Sequence, residues 1–183
     1  MSTPALVPIE QFEQMLRESD VDYEFDNGEL IPLSSGTYWH TVARNWVVRS
    51  LMNYMLEKRC GVVLDELDFR LSDQQVRRPD VAVLSNEKRA QIDPERVPIN
   101  VIPDLVVEVI SKNDTWSDVD HKVTQYLQAS VQEVWLVVLS ERHVYVRRNG
   151  EIAVVEFDGS LSTPTLPGFT LPVATIFDES RRA

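Results

Sequence analysis

The sequence predicts an α/β fold, and three observations carry that reading. Between Pro103 and Leu139 an apolar strand, an amphipathic helix and a second apolar strand follow one another directly. From Tyr38 to about Arg59, apolar residues recur at helical spacing. Two Asn-Gly pairs, Asn27-Gly28 and Asn149-Gly150, each stand between runs of strand character, the signature of a type I′ hairpin.

Taken in order, the chain opens on a short amphipathic helix, with Pro8 in its first turn and Ile9, Phe12 and Leu16 at helical spacing. Val21 to Leu33 (VDYEFDNGELIPL) reads as the first hairpin. The long helix carries Ala43, Val47, Leu51 and Met55 in one stripe, with Val42 and Trp46 beside it, and Gly61 is expected to end it. Val62 to Leu71 has strand signals, residues 72–75 form a loop, and Val76 to Leu84 reads as one further strand that includes Pro79 and Asp80. Residues 85–102 are polar and punctuated by proline, an expected surface excursion with at most a short helix. Leu105 to Ile110 is apolar on both faces except for Glu108, as in a strand covered on both sides. The helix that follows begins near Asp114 or Ser117 and buries Val119, Val123, Tyr126 and Leu127. Glu133 to Leu139 is the next strand, His143–Val146 and Glu151–Phe157 form the second hairpin, and LPGFTLPVATIF packs back on the core.

No repeat, low-complexity tract or linker interrupts this order, so one domain over residues 1–183 is expected. The net charge of −11 argues against broad non-specific adhesion to nucleic acid or anionic membrane, while leaving room for a local basic groove. The lone Cys60 excludes an intramolecular disulfide and a cysteine-rich zinc site. There is no apolar run of membrane-spanning length, and the start MSTPALVPIEQ lacks the basic and apolar regions of a signal peptide. A cytoplasmic protein without a membrane partner is the expectation.

The acids give the first functional reading. Glu108 inside an apolar strand is costly to bury as an anion unless a cation or donors meet it. Asp80 follows a proline at the head of another apolar strand. If the two strands are neighbours, their carboxylates converge on one divalent cation, and hard oxygen ligands suit Mg²⁺ or Mn²⁺. Such a metal can activate water and stabilise charge on a phosphodiester. A lysine near the water would orient it and offset negative charge, and Lys122, beside the buried side of its helix, is the candidate. Structural readings stand alongside these: turn chemistry for Asp80, an ion pair with Arg77 or Arg78 for Glu108, and a solvated helix position for Lys122.

Several of these segments together resemble a known family. They are Tyr23-Glu24 with Asn27-Gly28-Glu29-Leu30-Ile31, His40 at the head of the long helix, and Arg78-Pro79-Asp80-Val81-Ala82. They continue with Pro103 to Ser111, Asp118 with Lys122 and Tyr126, Val134-Trp135-Leu136-Val137, and Leu166-Pro167-Gly168-Phe169. In this order, over roughly residues 10–177, the chain resembles the Uma-type restriction endonuclease family, a bacterial branch of the PD-(D/E)XK nuclease superfamily. The resemblance implies a restriction-endonuclease-like core, a mixed β-sheet flanked by α-helices on both faces with added β-hairpins. It implies a Mg²⁺-dependent (or Mn²⁺-dependent) endonuclease acting on DNA, with Asp80 and Glu108 as acidic metal ligands and the Val109 carbonyl as a third. In the superfamily's usual motif a lysine stands two positions after the second acid; here that position is Ile110, and the family's pattern puts the lysine on the next helix, at Lys122. Lys112 is nearer in sequence but is expected to lie in a loop. Glu29 and His40 match additional polar positions that would support the metal or its waters. For Glu29 the structural alternative is an exposed hairpin residue, and for His40 a helix N-terminal residue bonded locally. Cutting both strands of a duplex needs two sites, so a homodimer is expected. The competing readings are a catalytically silent nuclease-fold module that binds nucleic acid or a protein, and an RNA or small-molecule phosphodiesterase on the same scaffold.

Overall fold

A computed structural model describes residues 6–18, 22–33 and 35–177. Its centre is a six-stranded mixed sheet in the order β10-β9-β8-β7-β6-β3. The strands are β3 (Gly61–Asp65), β6 (Val81–Ser85), β7 (Leu105–Ile110), β8 (Glu133–Val138), β9 (His143–Arg148) and β10 (Glu151–Val155). Only β7 and β8 run parallel, which requires a crossover, and α4 (Trp116–Gln128) supplies it. The other pairs in this sheet are antiparallel.

Alternation along the strands sends side chains to two separate cores. Leu105, Val107 and Val109 of β7 pack with Ala43, Val47, Leu51 and Met55 of α2 (Tyr38–Lys58), together with Trp135 and Val137. Val106 packs on the opposite face with Val119, Val123 and Tyr126 of α4, and with Ala82, Leu84 and Leu136. Both faces are therefore covered, as the apolar run of β7 requires. Glu108 belongs by alternation to the α4 face, where it meets that helix's side chains.

A second sheet, β2-β1-β5-β4, is antiparallel and holds β1 (Tyr23–Asp26), β2 (Glu29–Pro32), β4 (Phe69–Ser72) and β5 (Gln75–Arg77). Ile9 and Phe12 of α1 (Ile9–Glu18) close a small core against Phe25 and Val76. Asn27 (φ 50°) and Gly28 (φ 91°) take the two left-handed positions that a type I′ turn demands, and Asn149 (φ 52°) and Gly150 (φ 80°) repeat them. Val21, where the first hairpin was expected to begin, lies outside the described residues. Residues 85–102 hold one short helix, α3 (Asn86–Arg89), as expected. The C-terminal segment forms β12 (Leu166–Pro172), paired with β11 (Ser160–Thr163), then α5 (Val173–Ile176), and its Leu166, Phe169, Leu171 and Ile176 join the α2 core.

Three expectations need correction. The expected strand Val76–Leu84 is two strands in different sheets, because Arg78 and Pro79 break the pairing and hand the chain from β5 to β6. Likewise residues 62–71 divide between β3 and β4. Gly61 does not end α2; Arg59 does, in the left-handed conformation (φ 52°). Gly61 is instead a close-approach residue, since a Cβ there would collide with the Leu84 carbonyl oxygen on β6.

Candidate active site

The sheet sets Asp80 and Glu108 side by side. Val81 pairs with Val107 across antiparallel β6 and β7, so Asp80, one residue before β6, falls opposite Glu108. The Val109 N–H donates to Asp80 Oδ2 at 2.7 Å, tying this acid to the strand that carries the other. His40, in the first turn of α2, brings Nε2 to 3.2 Å from the same oxygen. The Thr37 side chain caps that turn by accepting from the His40 N–H at 3.3 Å. The hydrogen bond to Asp80 raises the His40 pKa above the usual histidine value, outweighing burial. Its Nδ1 is buried and has no hydrogen-bond partner among the described residues.

Helix α4 brings the cation. Lys122 Nζ lies 3.4 Å from Glu108 Oε1 and 3.0 Å from Glu24 Oε1. One turn further on, the Tyr126 hydroxyl donates to Glu108 Oε1 at 2.6 Å. Burial, helped by the charges of Asp80 and Glu24, lifts the Glu108 pKa to about 7 against the pull of Lys122 and Tyr126. Burial works against the Lys122 charge, but Glu108 and Glu24 outweigh it and raise its pKa above the ordinary lysine value. Lys122 is therefore a fixed ammonium. Its side chain is 24% exposed and lines the cleft.

Behind the lysine lies a buried polar network. Glu24 and Asp26 occupy alternate positions of β1 and both meet Arg77, whose side chain is 1% exposed. The guanidinium donates to Glu24 at 2.9 Å, to Asp26 at 2.8 Å and to Gln125 of α4 at 2.7 Å. Gln125 in turn donates to both Asp26 oxygens at 3.0 Å, and His121 Nε2 lies 2.7 Å from Asp26 Oδ2. Although burial opposes it, Lys122 and Arg77 hold the Glu24 carboxyl below the usual glutamate range. Glu24 thus remains an anion that anchors Lys122 from the side away from Glu108.

Asp80, Glu108, Val109, His40 and Lys122 line one cleft of about 460 Å³, together with Arg78, Glu66 and the loop at Ser111–Asp114. Glu29 is not among them. It is exposed at the turn end of its hairpin, opposite Asp26, whereas Glu24 sits deeper in the same hairpin and meets Lys122. The expected support from Glu29 is corrected to Glu24. The ion pair considered between Glu108 and Arg77 or Arg78 gives way to other pairings: Arg77 goes to Glu24 and Asp26, and Arg78 makes a two-pronged contact with Asp68 at 3.0 and 2.9 Å. Lys112 is exposed between β7 and α4 and faces a neighbouring pocket rather than this cleft. Among the described residues no group of three or more His, Cys, Asp or Glu side chains is arranged to hold a metal ion by itself.

Sequence reasoning missed Glu24, Gln125 and Asp26 as members of the site, and considered Arg77 as a partner of Glu108 rather than of Glu24 and Asp26. The available signal was the placement of Glu24 and Asp26 two apart around Phe25, which puts both acids on one face of a short strand.

Comparison with known proteins finds likeness in both sequence and fold. The Uma2 family, described as "Putative restriction endonuclease", matches residues 9–174. Among solved structures, a "putative nuclease belonging to DUF820" from Anabaena variabilis ATCC 29413 superposes with a TM-score of 0.78 at 19% identity. The superposition covers 93% of this chain and 97% of that one. No curated protein matches the chain.

Proposed function

Because the chain belongs to the Uma2 restriction endonuclease family, we propose that it is a metal-dependent nuclease that hydrolyses DNA phosphodiester bonds at the cleft between β6, β7 and α4. The observation that carries this reading is the meeting of two acids from adjacent strands with a lysine held as an ammonium 3.4 Å from one of them. The donor set fits Mg²⁺ or Mn²⁺. Two carboxylates without a third side-chain ligand suit ions that keep several waters and take up substrate phosphate oxygens, and do not suit a closed zinc cage. Burial first, and then the neighbouring acids Asp80 and Glu24, raise the Glu108 pKa, and a bound cation would favour its ionised form. Asp80 and Glu108 would hold the ion. The Val109 carbonyl would assist, because the N–H and C=O of a strand residue leave by the same edge and this N–H meets Asp80.

A bound divalent cation supplies Lewis-acid stabilisation of charge on the phosphate and makes a nucleophile of water at neutral pH. The protein's own groups then have defined tasks. Lys122 Nζ, fixed between Glu24 and Glu108, donates hydrogen bonds that orient the attacking water and offset charge gathering on the phosphate oxygens. As a lasting ammonium it does not accept the water's proton. Tyr126 and Glu24 are positioning residues: the first aims the Glu108 carboxylate, the second aims Lys122. His40 donates to Asp80 and turns the acid toward the cleft. Cleavage of both strands of a duplex would take two copies of the chain, and exposed Ile152 and Val154 on edge strand β10 are the surface such a homodimer would use.

The test is cleavage of a labelled oligonucleotide with Mg²⁺ or Mn²⁺. Activity is expected in the parent, abolished by chelation and reduced at least a hundredfold in Asp80→Asn, Glu108→Gln and Lys122→Met. Activity that survives all three substitutions, or a parent that never cuts, contradicts the reading.

A further inference from the structure

Beside the acidic cleft lies a pocket of opposite character. It holds about 420 Å³, within the size range of small-ligand sites (roughly 300–1,000 Å³), and Thr37 and Ser111 border both cavities. Its walls are apolar: Trp39, Val42 and Ala43 come from the start of α2, Leu139 follows β8, and Ile176 and Phe177 come from the C-terminal segment. Its rim carries two exposed cations, Lys112 and Arg142. Trp39 is 40% exposed, and its indole packs edge-on to Tyr38 with centroids 5.0 Å apart. The first turn of α2 thus divides the two cavities, with His40 turned to the acids and Trp39 to the apolar pocket.

From this juxtaposition we propose that the pocket receives one unpaired nucleobase of the substrate strand, stacked against Trp39, while the backbone crosses Thr37 and Ser111 to the acidic cleft. The inference rests on the nuclease reading of that cleft and names its substrate class: single-stranded or locally unpaired nucleic acid. Charge complementarity selects the occupant. A nucleotide has an apolar, stackable face and an anionic backbone, which match the apolar wall and the Lys112–Arg142 rim. Arg142 also lies over the Phe157 ring, 4.2 Å from its centroid; an aliphatic ligand would leave Lys112 without a counter-charge, and a free phosphate would leave the apolar wall uncovered. The chain's overall charge of −11 gives a second reason. Affinity for a continuous duplex comes mainly from many phosphate contacts, for which this surface is poorly supplied, whereas base stacking on an aromatic ring contributes without net positive charge.

Equilibrium binding, read by fluorescence anisotropy without divalent metal, tests the inference apart from cleavage. The probes are a short oligothymidylate, an all-abasic strand of the same length and charge, and a duplex of that length. The parent is expected to bind the base-bearing strand about tenfold or more tighter than the abasic strand, and tighter than the duplex. Trp39→Ala should remove most of that preference and Trp39→Phe should keep it. Trp116→Ala, at an exposed tryptophan that packs on Tyr145 outside the pocket lining, should leave it unchanged. Lys112→Glu should weaken both single strands alike. Equal binding of base-bearing and abasic strands, duplex binding as tight as single-strand binding, or a base preference that persists in Trp39→Ala overturns the inference. The two readings can fail separately. Base-dependent binding with no cleavage in any divalent metal leaves the pocket and removes the nuclease. Duplex cleavage lost in Asp80→Asn, with no base preference, does the reverse.

Discussion

Glu108 is the residue on which stability and chemistry pull in opposite directions. Its pKa of about 7, against 4.5 for an ordinary glutamate, means that the folded protein binds its proton more tightly than the unfolded chain does. The sign follows from linkage: stability falls as pH rises from about 4.5 to about 7, because ionising the buried acid becomes a cost that the unfolded chain does not bear. Glu108→Gln removes that cost while keeping the shape of the side chain and an acceptor for Tyr126. In chelator at pH 8 the variant is expected to be more stable than the parent, by on the order of 2 kcal/mol, with the difference vanishing near pH 4.5. Thermal or urea melts across that range measure it. A group kept only to stabilise the fold by pairing with Lys122 predicts the opposite sign at pH 8. His40 has the same sign of linkage: its raised pKa makes the pairing with Asp80 stabilising at low pH, and that contribution is lost as pH rises through its folded value.

Among the elements, β1 and α4 matter most, since polar side chains join them: Lys122, His121 and Gln125 of α4 meet Glu24 and Asp26, and Arg77 contacts both elements. Glu24 and Asp26 are 2% and 8% exposed, and Arg77 is the cation that serves both. Removing it alone leaves two buried anions, so Arg77→Met is expected to cost about 3–5 kcal/mol in urea unfolding. Adding Glu24→Gln and Asp26→Asn should recover much of that loss, while an unchanged midpoint in Arg77→Met would show that the network is not stabilising. This is also where the sequence was least legible. Leu105–Ile110 could be read to its ends, because an apolar run with a single acid allows few structures, and the two Asn-Gly turns were legible because only a type I′ hairpin uses both positive-φ positions. Asp80 and Lys122 could be singled out as polar residues bordering apolar elements, and Glu108 as the one acid inside an apolar strand. Glu24 was not, nor the division of residues 76–84 between two sheets. Both depend on contacts about fifty residues apart, such as Arg77 to Glu24 and Asp26, which no local periodicity encodes.

At the level of the whole molecule, the cleft shares the sign of the chain's −11 charge: Asp22, Glu66, Asp80, Glu108 and Asp114 line it against Arg78 and Lys122. Asp80, just before β6, gathers with Glu108 of β7 and Glu24, and Lys122, Arg77 and His40 lie beside them. This surplus is unfavourable for nucleic acid and favourable for a small divalent ion, which would reverse the sign of the cleft before substrate arrives. The mixed sheet makes the arrangement possible: antiparallel β6 and β7 align the two acids, and the parallel β7–β8 connection requires the crossover helix that carries the lysine. Both acids are expected to share one ion, and titration of the metal-free protein with Mn²⁺, followed by electron paramagnetic resonance of the free ion, tests this directly. One ion per chain is expected in the parent, with binding weakened at least tenfold in Asp80→Asn and in Glu108→Gln, and retained in Leu56→Ala, at an exposed residue of α2 outside the cleft lining. Binding that is absent in the parent, or unchanged by both carboxylate substitutions, would contradict it.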